Sequence, residues 1–181
     1  MQDKPNDLLL LTGKVLATIM QALMAIGGVV LIVLTPVLIA MQDQINAKLI
    51  EQVGEAAAAL PLLSILGLFG LGLAMVGMAF IFFGKLRAII GTVSDGDPFA
   101  PENADRLNLM AWLMLGMQLL VIPGSVIASH VADWAQQFED AHVEIGSGLD
   151  INGILMIILL FILARIFKHG TAMQADLEGT V

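Results

Sequence analysis

The side chains able to do chemistry are few and scattered. The three histidines are His130, His142 and His169, and His130 can share a helix face with Asp133, three residues on. Two potential ligands without a third do not make a metal site, and His169 falls on the opposite side of a membrane from the other two in the topology argued below. Asp95-Gly96-Asp97 opens like a calcium loop, but Arg106 stands where the terminal acid of such a loop belongs, so the stretch reads as a turn. Gln21 and Gln118 are amides within apolar runs, suited to hydrogen bonding between helices or, in a competing reading, to a solute in a cavity between them. Arg165 and Lys168 end the last apolar run and can reach toward lipid phosphates. Relays and transporters place ionisable groups inside their spans, and catalysis needs several such groups to converge. The apolar interiors here carry none, so the expectation is a non-enzyme without cofactor or metal.

The elements around these residues are set by composition. Of 181 residues, 58% are hydrophobic and 13% charged, whereas a soluble domain is about a quarter charged. The chain therefore reads as an all-α integral membrane protein, one membrane domain over 1–181, embedded in a lipid bilayer as a bundle of four transmembrane helices. The spans fall at about 15–40, 60–83, 107–130 and 151–167, near the roughly 20 residues a helical crossing takes. Unbroken apolar runs exclude a β-barrel. The absence of cysteine removes disulfides, thiolate metal sites and thiol nucleophiles. A net charge of -8 argues against direct contact with nucleic acid, which calls for clustered Lys and Arg.

Along the chain, Pro5-Asn6 breaks the leader and Asp7 can cap a helix starting at Leu8. Over 41–59, Ile45, Leu49, Ile50 and Val53 oppose Gln42, Asn46, Glu51 and Gln52, the pattern of an amphipathic helix lying on the membrane surface. Pro61 starts the second span. There Gly70, Gly77 and Gly84 recur every seven residues, and Gly70 to Ala74 is a small-xxx-small step. This face suits close packing inside the bundle, with a homo-oligomer contact as its other use. A polar loop over 84–106 follows, from which Pro101 begins the helix that becomes the third span, loosened at Pro123-Gly124. The segment 131–150 is acidic and amphipathic, broken at Gly146-Ser147-Gly148, and Asp150 can cap the fourth span.

Orientation follows from Lys and Arg. Lys4, Lys14, Lys85, Arg87, Arg106, Arg165 and Lys168 flank the N-terminus, the central loop and the C-terminus, against Lys48 alone in the other two connections. The positive-inside rule then puts both termini and the 84–106 loop in the cytoplasm. Trp112 and Trp134, about 33 Å apart along a helix, suit opposite interfaces. Two short fragments recur, Met20-Gln21 with Met117-Gln118 and Gly91-Thr92 with Gly170-Thr171, in line with a duplicated outline.

Two stretches stand out as recognition surfaces. In the loop, Asp95-Gly96-Asp97-Pro98 forms a tight turn, and Phe99 has no evident core to enter and would dip into the membrane interface. The tail, Asp176-Leu177-Glu178-Gly179-Thr180-Val181, is short and acidic. The run from Gly96 through Pro98, Phe99, Pro101, Glu102, Asn103 and Arg106 to Leu107, together with 163–170 and this tail, resembles a bacterial inner-membrane family, domain of unknown function 2975. Ala100 departs from it, standing where a larger apolar residue is expected. The resemblance implies four transmembrane helices and no established activity. It also implies a partner, because such proteins are often encoded beside a small helix-turn-helix DNA-binding protein. On that reading Asp95, Asp97, Glu102, Asp176 and Glu178 complement a basic DNA-reading surface, Phe99 and Leu177 are apolar anchors, and Pro98, Pro101, Asn103, Arg106 and Gly179 complete the contact. The competing class is a small lipid- or solute-binding or transport-accessory membrane protein.

Overall fold

The structure is a computed structural model, and it describes residues 7–54, 58–136 and 150–178. These form four helices, α1 Asp7–Val53, α2 Leu62–Ser94, α3 Pro101–Ala135 and α4 Ile151–Glu178, and no strand occurs among the described residues. Each is long and apolar enough to cross a membrane. Helix α1 packs on α2, α2 on α3 and α3 on α4, and among the described residues no other pair of helices brings its backbones together. Phe161 lies against Trp112, and Gln118 reaches Asp150, so α3 and α4 run antiparallel.

Apolar side chains face outward over most of this assembly. Leu16, Leu23, Ile26 and Val33 on α1 and Leu155, Leu159 and Ile162 on α4 are exposed, a surface too apolar for water and suited to lipid. The buried core is small and lies toward the loop between α2 and α3. Ile89, Leu107, Met110, Ala111, Leu160 and Ala164 form it, with Leu86, Val93 and Phe167 packed around them.

The helices overrun the expected spans, and two expectations change as a result. The 84–106 loop shrinks to Asp95–Ala100, because Leu86, Ile89 and Val93 repeat at helical spacing and α2 continues through them onto α3. No break separates 41–53 from the first span. Instead of lying on the surface as a separate helix, this stretch continues α1, where the Leu60 N–H donates to Asn46 Oδ1 at 2.9 Å. Of the acidic segment 131–150, residues 131–135 extend α3, and 137–149, including His142, lie outside the described residues.

Several helix ends form as their residues require. Pro61 precedes α2 and Pro101 opens α3. Asp150 caps α4, its carboxylate accepting from Asn152 N at 3.1 Å and Gly153 N at 3.0 Å. The Asp7 side chain lies outside the described residues.

Candidate functional site

The polar residues of the chain converge most densely where α2 ends, α3 begins and α4 passes. Gly96, at a φ of 89°, terminates α2 in the left-handed conformation that its missing Cβ allows. The Gly96 N–H donates to Val93 O at 3.2 Å and the Asp97 N–H to Thr92 O at 3.0 Å, the paired bonds of a Schellman cap. Pro98 cannot extend a helix. Three residues later Pro101 supplies the first turn of α3, where its lack of an N–H costs nothing.

Asn103 joins these pieces from a position with no solvent exposure. Its Nδ2 donates to Thr92 Oγ1 on α2 at 2.7 Å and to the Pro98 carbonyl in the loop at 3.0 Å. Its Oδ1 accepts from the Arg106 guanidinium at 2.8 Å. Thr92 donates its own hydroxyl hydrogen to Ile89 O at 2.9 Å, so the buried Asn103 amide and the Thr92 hydroxyl both have partners. An amide fits here and a carboxylate does not, because two of its three partners are acceptors.

The loop is then fastened to α4. The Thr171 hydroxyl lies 2.9 Å from the Phe99 carbonyl and 3.0 Å from Phe167 O. The Phe99 ring packs against Phe167 with centroids 5.5 Å apart and lies over Gly170, where an added Cβ would come within 2.5 Å of Phe99 Cδ1. Phe99 is 39% exposed. It has a seat on the last helix, which corrects the expectation that it has no core to enter.

Of the residues expected to meet a partner, Asp95, Asp97, Pro101, Glu102 and Asp176 are exposed and Pro98 is partly covered. Asn103 is fully buried, and the partly exposed Arg106 donates to its Oδ1 through one guanidinium nitrogen. Ala100, where a larger residue was expected, is 4% exposed. The side chains of Leu177 and Glu178, and Gly179 altogether, lie outside the described residues.

Gln21 and Gln118 do not share a cavity. Gln21 abuts Gly84 between α1 and α2, and Gln118 abuts Gly153 between α3 and α4 while donating to the Asp150 carbonyl at 2.8 Å. Each amide thus lies where a partner helix has no side chain. The second recurring fragment behaves similarly: Thr92 and Thr171, each after a glycine, both hold the loop.

Gly70, Ala74 and Gly77 turn away from neighbouring helices, and a Cβ at Gly70 or Gly77 would meet nothing within 4 Å. Close helix approaches fall instead at Gly116 against Met78, Gly13 against Ile90, Gly72 against Leu31, Gly67 against Ile127 and Gly28 against Val76. His130 lies toward the far end of α3 and His169 at the loop end of α4, and no three metal-binding side chains converge among the described residues.

Asn103, expected at a partner surface, is buried where the loop meets α3, and Gly170, which the sequence did not single out, receives the Phe99 ring. The signal for both was present in the Pro-Glu-Asn helix start and in the second Gly-Thr pair, but neither announces a long-range partner. The family described as protein of unknown function (DUF2975) matches residues 47–181, and the chain belongs to it. No curated protein and no solved structure matches the chain.

Proposed function

We propose that this member of the DUF2975 family is a non-catalytic regulatory anchor of the bacterial inner membrane, with both termini and the Asp95–Ala100 loop in the cytoplasm. Its loop end holds a helix-turn-helix transcriptional regulator at the membrane, away from DNA. The observation that carries the reading is the clamp of the loop on α4 by Phe99, Gly170 and Thr171. It brings the exposed acids of the loop and of the first turn of α3, Asp95, Asp97 and Glu102, together with the helix that leads to Asp176. A fixed acidic surface of this kind suits a basic DNA-reading face, whose charges would otherwise meet phosphates.

The test is co-purification from native membranes, comparing the intact chain with an Asp95→Asn, Asp97→Asn, Glu102→Gln variant. These side chains are exposed, so the variant should keep its helical content and unfolding temperature. Retention of a DNA-binding protein by the intact chain and its loss from the variant is the expected result; equal retention, or none by either, ends the proposal. Orientation is checked separately in this cysteine-free chain. A cysteine replacing Asp97 should resist an impermeant maleimide on intact spheroplasts, and one replacing Lys48 should react.

A further inference from the structure

An open groove of about 600 Å³ runs between the first turns of α3 and the last turns of α4. Asp105 and Asn108 line its α3 side, and Phe161, Arg165, Lys168 and His169 line its α4 side. Buried Ala104 and Ala164 also border it, so the space comes from small residues where the two helices meet. Arg165 and Lys168, three residues apart, share one helix face. Among the described residues, neither they nor Asp105 has an ion-pair or side-chain hydrogen-bond partner. Opposite charges therefore line one groove without neutralising each other.

The groove is also graded in polarity. Phe161 marks its apolar end and is capped edge-on by Trp112 at 5.5 Å, with Trp112 itself exposed. Arg165, Lys168 and His169 lie where α4 leaves its apolar stretch. Around Phe161 the outward surface carries Leu109, Ile158 and Ile162. A ligand fitting this gradient has an acyl body, a phosphate and, a few atoms further, a hydrogen-bonding cation.

We propose that the α3–α4 groove binds a phospholipid with an ethanolamine headgroup, its phosphodiester on Arg165 and Lys168 and its ammonium on Asp105 and the Asn108 side-chain carbonyl. The glycerol and the start of the acyl chains lie along Phe161 and Trp112. A glycerol headgroup would put no cation against Asp105. A choline headgroup brings a cation without N–H groups, so it makes no charge-assisted hydrogen bond there. The proposal does not depend on the regulator reading, because the groove is formed by different side chains from the loop surface.

The test uses the full chain released from vesicles holding equal amounts of ethanolamine, choline and glycerol phospholipids with identical acyl chains, read by native mass spectrometry. Ethanolamine lipid should be retained about tenfold over choline lipid, the equivalent of one charge-assisted hydrogen bond. Asp105→Asn should bring the two to near equality while the chain still binds lipid, and Arg165→Gln with Lys168→Gln should remove headgroup-selective retention altogether. All three side chains are exposed, and an unchanged unfolding temperature confirms that the variants fold. Preferred retention of glycerol lipid, or the same lipid profile in every variant, overturns the proposal. So does displacement of bound lipid by soluble glycerophosphoethanolamine, which would make the groove a site for a free phosphate ester.

Discussion

At the loop end, the Asn103 amide, itself without solvent exposure, joins Thr92, Pro98 and Arg106. At the far end the helices are tied by separate bonds to the main chain: Trp134 Nε1 to the Ala58 carbonyl at 3.0 Å, and the Leu60 N–H to Asn46. Most of the buried residues cluster with the first group, including Ala100, Ala104, Leu107, Met110 and Ala111. In lipid an apolar side chain gains little by turning inward, because the solvent is as apolar as the core. Order within such a bundle therefore rests on polar groups and close-packed small residues, and those are concentrated where the loop meets α4.

The largest effect should come from breaking the denser end. Asn103→Leu keeps the approximate volume but strands the Pro98 carbonyl and the Thr92 and Arg106 side chains, at a cost of about 3 kcal/mol. Asn103→Asp should fare little better, since it keeps the Arg106 contact but sets an acceptor against the Pro98 carbonyl. Reversible unfolding in bicelles measures both, and a loss under about 1 kcal/mol for either would remove Asn103 from its role.

Next in size is the clamp on α4. Gly170→Ala places a methyl group against the Phe99 ring, and the aromatic must lift away, costing about 2 kcal/mol. In a Phe99→Ala background the same change should cost almost nothing. The coupling in this double-mutant cycle is the diagnostic quantity, and additive effects would show that ring and glycine do not meet. At the sparser end, Gln118→Leu removes one bond to the Asp150 carbonyl and should cost only about 0.6 kcal/mol. A loss as large as that of Asn103→Leu would abolish the contrast between the ends.

The four helices long and apolar enough to cross a membrane were legible because each apolar run needs only counting. Their ends were less so. Lys85 and Arg87 suggested that a loop began at 84, whereas Leu86, Ile89 and Val93 carry the helical spacing through those charges. Similarly, the polar residues after Met41 suggested a separate surface helix, but no glycine or proline interrupts α1 there and pairing with α2 continues it. In the candidate site, the Asp-Gly-Asp-Pro turn and the oddly placed Phe99 were visible as local chemistry. Their attachments were not, because Thr171 lies 72 positions from Phe99 and Asn103 reads locally as an ordinary polar residue in a first helical turn.

The glycines of α2 give the finest version of the same lesson. A seven-residue repeat identifies a face, but it does not say which neighbour that face meets, and Gly70 and Gly77 turn to open space while Gly72 approaches Leu31. Gly70→Ala and Gly77→Ala should therefore stabilise the single chain by up to about 1 kcal/mol each, through helix propensity. Gly72→Ala brings a Cβ to 3.4 Å from Leu31 Cδ1, where the neighbour must yield slightly, so its gain should be smaller or reversed. Unfolding of dilute protein in detergent measures the first effect, and chemical crosslinking at high protein-to-lipid ratio measures association. If Gly70→Ala and Gly77→Ala raise chain stability but lower crosslinking, the outward small-residue face is a contact between copies. If both quantities rise or stay level, the face meets only lipid, unlike Gly13, Gly28, Gly67, Gly72 and Gly116, each of which faces a side chain of a neighbouring helix.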